Sequence, residues 1–483
     1  MAPEQVNPPP SPIGARPTVA TPEGTMTIDY AALPRAEVNV SAQEERGPLE
    51  VWRAALGHGG INHFPLPDHV VEGVRRLAPR LIRVFLQEHF AVYPERGRFD
   101  WSRLDPFLDS FARTGAQVVA AICLKPPLLY PKVDPSIWRP TDWAEWQHVI
   151  RALVTRYSVE KRIVSYWEVG NETDIGESGG CPYLIPDPDD YFEYYRQTIA
   201  PALEASPQAK VGGPASCWIT NEPLPGLIAR CAQTGTRLDF ISWHRYHDDP
   251  QSHAWGTRKA KELLAGFPGR RPEMLVTEWS KSFDPVSAED VAFSSRRAAN
   301  IAAGALAMLD AGLDWSFYYH IWDQTFYPDP FRSFFSDHGL ALMIEHWNQV
   351  PHRFGLFGVS EEVRPQYFVF WLLKRLGDTR LAATASASDL HLLAGRGEGR
   401  SAAFLANFDL QHSRDLMVTV RFHGLTPGVK MLRTYRIDDT SPWDPEALDL
   451  LPLEQREVCV EPDFRCGLHL PADSVALIAL EDR

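Results

Sequence analysis

Two glutamates stand at the ends of two separate strand-like runs. In Ile163 to Asp174, IVSYWEVGNETD, the apolar residues Ile163, Val164, Tyr166, Trp167 and Val169 lead to the pair Asn171 and Glu172. In Glu273 to Lys281, EMLVTEWSK, Met274, Leu275 and Val276 lead to Glu278, flanked by Thr277 and Trp279. Two carboxyls delivered to one pocket suit cleavage of a glycosidic bond. One protonated carboxyl must give its proton to the leaving oxygen while an ionised one faces the sugar's anomeric carbon. A single strand-end glutamate carries no such meaning, because it commonly caps a helix or pairs with a base; the recurrence does.

Strands must hold such a pair, and the chain supplies them. Short apolar runs at 54–58, 81–86, 117–123, 163–170, 209–213, 238–243, 274–277 and 314–320 alternate with helical patterns at 68–77, 103–113, 141–157, 188–204, 254–265 and 288–311. This βαβα order predicts an α/β fold, a (β/α)8 TIM barrel, over residues 49–376. The last helix is Ala-rich and opens with Ser287 followed three residues on by Asp290, close to a capping box. In a barrel of this kind the carboxyl ends of the strands line the active site, so Glu172 falls after the fourth strand and Glu278 after the seventh. From 377 to 483 the pattern changes to alternating segments, among them 391–393, 401–407, 416–422, 430–437 and 474–479, broken by Gly, Pro and Asp turns. That predicts an accessory C-terminal β-sandwich domain, which strands within residues 25–48 are expected to join.

Composition excludes several classes of function. A formal charge of −14 without a basic run argues against nucleic acid. No stretch of about 18 apolar residues is present to span a membrane. Residues 1–24 are Pro-rich, lack the basic and apolar regions of a secretory signal and read as disordered, so a cytoplasmic location is expected unless a leader was removed. The six cysteines have no C-x-x-C spacing and read as free thiols, with a pairing of Cys459 and Cys466 across a hairpin left open. His244 and His247 have H-x-x-H spacing but point apart along a strand, so no metal is expected. GHGG at 57–60 lacks the G-x-S-x-G elbow of an esterase, and no phosphate-binding or dinucleotide glycine motif follows a strand. No cofactor is expected.

WEVGNE and VTEW resemble the acid/base and nucleophile motifs of retaining glycoside hydrolases of clan A, and within that clan the chain looks most like glycoside hydrolase family 39. The resemblance extends to Arg83 in LIRVF, to GRFDWSRLD at 97–105, to His244 and Tyr246 of ISWHRYH and to the closing β-sandwich. It departs at Thr173, where a proline is common, and at SFYYHIWDQ on the eighth strand, which leaves the sugar open. The resemblance implies Glu172 as acid/base, Glu278 as nucleophile and Asn171 as a donor to the sugar 2-hydroxyl. It further implies a retaining exo-hydrolase acting on a β-linked, xyloside-like glycoside, an oligosaccharide or small glycoside substrate; a homo-oligomer is left open by the sequence. Physical chemistry supports the same roles: Arg83 and Tyr246 would keep Glu278 ionised, whereas apolar surroundings and the charge of Glu278 would keep Glu172 protonated.

Other candidates for substrate contact follow from position alone. His58 and Asn62 after the first strand and Lys125 after the third could meet hydroxyls or a carboxylate; Trp243, Trp279 and Trp322 could form stacking walls; Asp323 could bond a distal hydroxyl. Two alternatives stay open. Lys125 and Arg245 would suit a uronic-acid glycoside, and a barrel without turnover would be a carbohydrate-binding protein.

Overall fold

The computed structural model describes residues 29–283, 294–349, 353–439 and 444–483. The Pro-rich stretch, residues 25–28 and the expected Ser287–Asp290 cap lie outside the described residues. After β1 (Arg35–Pro48), eight parallel strands close a barrel: β2 (Ala54–Gly57), β3 (Leu81–Gln87), β4 (Gln117–Cys123), β5 (Val164–Val169), β6 (Lys210–Ser216), β7 (Phe240–Tyr246), β8 (Glu273–Ser280) and β9 (Trp315–Tyr319), with β9 pairing back onto β2. The barrel strands fall where the apolar runs predicted them.

Alternation along each strand divides the core into two. Ala55, Leu81, Val119, Tyr166, Phe240, Leu275 and Phe317 fill the barrel interior. Their sequence neighbours, such as Ile82, Val118, Trp167 and Ile241, face outward into the layer shared with the helices. β8 breaks this rule. His244 pairs with Glu278 although Trp243 pairs with Val276, so one extra residue is inserted at Thr277. A bulge of this kind reverses which side chains face the interior beyond it.

The helix Pro223–Thr234 is absent from the pattern reading because PLPGLIARCAQT looks like a loop. Its first proline sits at the first helical position, where no N–H is needed, and its C-cap is Gly235. Pro365–Leu373 is also unanticipated: every residue in it is buried, so no amphipathic period marks it. The long helix expected from 288 is described over Ser295–Ala311, with the Ser294 side chain accepting from the Arg296 N–H as its N-cap.

The C-terminal strands are β10 (Thr379–Ala385), β11 (Leu390–Gly397), β12 (Arg400–Asn407), β13 (Leu416–His423), β14 (Gly428–Ile437), β15 (Glu454–Val460), β16 (Asp463–Leu470) and β17 (Ser474–Asp482). They form one sheet in the order β15-β14-β17-β12-β11-β10-β1-β13-β16. β1 enters it antiparallel to β10 and parallel to β13. Residues from both halves, Val40, Val420 and Leu468 with Leu405, Ile478 and Leu432, share one apolar cluster, so the sheet folds over its own core. The hairpin imagined for Cys459 and Cys466 does not form. β15 and β16 are the opposite edges of the sheet, paired with β14 and β13, and all six cysteines are free thiols.

Candidate active site

Arg83 organises the carboxyl ends of the strands. It lies midway along β3 on the interior face and is buried, and each of three guanidinium nitrogens meets a different partner. Nε donates to Glu168 Oε2 at 2.6 Å, Nη1 to Glu278 Oε1 at 2.7 Å and Nη2 to Asn171 Oδ1 at 2.6 Å. Glu168 was missed by the sequence reading. Its signal was present: a glutamate inside the apolar run of β5, fully buried, needs a buried cation.

Glu278 is buried and accepts a second hydrogen bond, from the Tyr246 hydroxyl to Oε2 at 2.5 Å. Burial pushes its pKa up, and the Arg83 charge and the donors on Tyr246 and Arg83 pull against that push. Glu172 lies opposite with Oε1 2.7 Å from His244 Nδ1. Burial raises its pKa well above the usual carboxylate range, and the charges of Glu278 and Asp174 raise it further. Of the two carboxyls, Glu278 is therefore the first to ionise. Burial and Arg83 hold His244 well below its ordinary pKa, so it is a neutral imidazole between them, its Nε2 3.7 Å from Glu278 Oε1. A ligating atom from each of Glu172, His244 and Glu278 lies within 4.8 Å of the others. Such a triad could in principle hold a cation, but the Arg83 guanidinium already neutralises Glu278 and would repel one.

Local backbone aims Glu172. Gly170 has φ 90° and Glu172 itself φ 44°, the left-handed region that a non-glycine residue enters at a cost of about 1–3 kcal/mol. Hydrogen bonds hold it there, Glu172 N–H to Ala215 O at 2.9 Å and Cys217 N–H to the Asp174 carboxylate at 3.1 Å. Gly179 packs so close that a Cβ there would sit 2.0 Å from Glu172 Oε2, and its carbonyl accepts from Asn171 Nδ2 at 3.0 Å. Asn171 thus enters with both ends of its amide engaged.

A cavity of about 390 Å³ opens over the pair, reached by Glu172, Glu278 and Tyr246. Its aromatic walls are Phe85, Trp218, Phe283, Tyr319 and Trp347, none of them singled out from the sequence. The tryptophans that were singled out stand elsewhere. Trp279 is fully buried against His253 and Tyr318 because the β8 bulge turns Glu278 inward and its neighbour outward. Trp243 backs onto Gly256 behind the barrel wall, and Trp322 stacks on His58 at 6.4 Å.

Four further candidates have structural partners in place of a cavity position. His58 is buried among Phe107, Phe111 and His320, and burial and then His320 push its pKa down to about 3. Asn62 accepts from Gln324 and the Phe64 N–H. Lys125 donates to the carbonyls of Asp134 and Pro182, both at 2.7 Å. Asp323 pairs with Arg364 at 2.5 Å and His320 at 2.8 Å; although its burial opposes ionisation, the Arg364 charge and the His320 hydrogen bond hold its pKa far below the usual range.

Residues 77–265 match the family model described as Glycosyl hydrolases family 39. That stretch carries Arg83, Glu168, Asn171, Glu172, His244 and Tyr246 and ends before Glu278. A curated relative, "Beta-xylosidase" of Geobacillus stearothermophilus, is 22% identical over 426 residues, covering 80% of this chain and 79% of the relative. The monomeric β-xylosidase from Caulobacter crescentus CB15 superposes with a TM-score of 0.72 at 19% identity, over 92% of this chain and 99% of that one. A glucosidase from Croceicoccus marinus gives a TM-score of 0.71 at 19% identity, over 93% and 99%. At such identities the likeness is one of fold, a closed parallel barrel with an accessory C-terminal sheet.

Proposed function

Since this chain is a glycoside hydrolase of clan A most like family 39, we propose that it removes a terminal β-linked sugar, xylose or a similar pentose or hexose, with retention of anomeric configuration. Glu172 gives its proton to the glycosidic oxygen as Glu278 attacks the anomeric carbon. The C–O bond to the leaving group breaks, and a covalent glycosyl-enzyme forms on Glu278. With the Glu278 charge consumed, Glu172 is left ionised and takes a proton from water, whose oxygen attacks the anomeric carbon and frees Glu278. Arg83 and Tyr246 keep Glu278 ionised at the start, and His244 orients Glu172.

The supporting observation is the distance. Carboxyl oxygens of Glu172 and Glu278 lie within 4.8 Å of one another, the separation of a direct displacement by carboxylate. An intervening water would need roughly 6.5–9.5 Å between the carboxyls. The β-xylosidase named among the relatives motivates the choice of sugar. Following a chromogenic β-xyloside and its glucosyl counterpart by NMR tests the reading. The first-formed free sugar is expected to be the β-anomer, and an α-anomer would remove Glu278 from its role as nucleophile. A uronic-acid substrate has little support here, because Lys125 is buried on carbonyls, Arg245 stacks on Trp218 and, among the described residues, no lysine or arginine lines the cavity.

A further inference from the structure

The cavity has two walls with different chemistry, and the wall beside Glu172 faces whatever leaves. In the mechanism just proposed, on which this inference rests, the proton donor lies against the departing oxygen, so residues flanking Glu172 meet the leaving group. Those residues are Ile175 and Ser178 on the loop that follows Glu172, and Cys217 and Trp218 on the loop that follows β6. The Cys217 N–H donates to the Asp174 carboxylate at 3.1 Å and the Glu172 N–H to the Ala215 carbonyl at 2.9 Å, so the loop that carries Trp218 is tied to the loop that carries the acid.

Trp218 is an unusual residue to leave in water. It is 44% exposed, yet it is not loose. The Arg245 guanidinium sits 4.5 Å over its ring and is itself held by the Ser252 hydroxyl. Its carbonyl accepts from the Asn221 N–H at 3.1 Å, and Asn221 in turn donates to Asp174 at 2.5 Å, two residues from Glu172. A large aromatic surface held rigid at a cavity mouth gains little by facing solvent and offers a flat ring a ready stacking partner at low entropic cost. The same wall has little for a second sugar's hydroxyls. Both Glu177 oxygens already accept from Ser336, at 2.7 and 2.5 Å, and Gln87 Nε2 donates to the Gly180 carbonyl at 2.9 Å, which leaves the Ser178 hydroxyl and Gln87 Oε1. Polar groups of a ligand desolvated against such a wall would go unpaired.

We infer that Trp218 is the platform of a leaving-group subsite shaped for a flat apolar ring, a phenol or similar aryl alcohol, in preference to a second sugar.

The test compares three substrates of one sugar on the full chain: the glycosyl fluoride, whose leaving group has no ring; the 4-nitrophenyl glycoside; and the β-linked disaccharide. In the wild type, kcat/KM is expected to be higher for the aryl glycoside than for the disaccharide. In Trp218→Ala the ratio of kcat/KM for the aryl glycoside to that for the fluoride should fall about ten-fold, mostly through KM, and Trp218→Phe should recover part of it. An unchanged ratio in Trp218→Ala, or a fall in both substrates alike, overturns the platform. A wild type that favours the disaccharide overturns the class of leaving group. Absence of turnover on all three, fluoride included, overturns the hydrolase reading and this one with it.

Discussion

Glu278 and Glu172 are equally buried carboxyls that differ in their neighbours. Glu278 has a guanidinium and a phenol, and Glu172 has a neutral imidazole, a thiol and two negative charges. Those neighbours support the proposed division of labour between an ionised nucleophile and a protonated acid. A pH profile reads this directly. The Tyr246 hydroxyl lowers the pKa of Glu278, so Tyr246→Phe should raise it and move the acidic limb of kcat/KM to higher pH. At the optimum, kcat/KM should fall by about 10- to 100-fold for the loss of one charge-assisted hydrogen bond. An acidic limb that stays in place while activity falls would mean that Tyr246 acts on the substrate and not on Glu278. At this scale the sequence was informative: Asn171, Glu172, Glu278, Arg83, His244 and Tyr246 all come together. It failed where position was taken as sufficient, as at Lys125 and Asp323, whose buried partners are backbone carbonyls and a distant arginine that no local pattern reveals.

The elements impose a different kind of order. Arg83 joins β3 to β5 and β8 through Glu168, Asn171 and Glu278, so three strand ends are fixed to one planar cation. Removing that cation strands two buried carboxylates. Arg83→Met should cost about 3–5 kcal/mol in urea unfolding, and Arg83→Lys should recover little because a point charge cannot reach three partners at once. A lysine variant as stable as the wild type would show that charge alone suffices. The bulge on β8 is the second device. Strict alternation would send Trp279 inward with Leu275 and Glu278 outward; the sequence offers Trp279 as a sugar wall only by its place at a strand end. One inserted residue at Thr277 exchanges their directions.

Across the whole molecule, the barrel and the C-terminal sheet share a core. On β12, Ala402, Phe404 and Ala406 pack with the barrel's helices, while Ala403 and Leu405 face the sheet's own interior. β17 divides in the same way, Val475, Leu477 and Ala479 against Ala476, Ile478 and Leu480. Polar ties reinforce the seam, Arg296 to Asp473 at 2.7 Å and the Ser295 N–H to Asp439 at 2.9 Å. A sheet buried on both faces against its neighbour should not melt separately. Calorimetry is expected to give one transition, with the van't Hoff and calorimetric enthalpies in agreement. Two resolved transitions would mean that the shared apolar layer contributes little to stability.

What the sequence by itself determined were the properties carried by short-range pattern: strands that alternate with helices, the glutamates that end two of them, and the switch to turn-rich β structure after 377. Apolar periodicity and strand ends are local, so they survive being read one residue at a time. Tertiary structure alone decided which way Glu278 points, which tryptophans meet the cavity, that Glu168 completes the Arg83 network and that Cys459 and Cys466 lie on opposite edges of a folded sheet. Each of these depends on a bulge or on partners brought together from distant strands, and a fold sets such relations only once the barrel and sheet have closed.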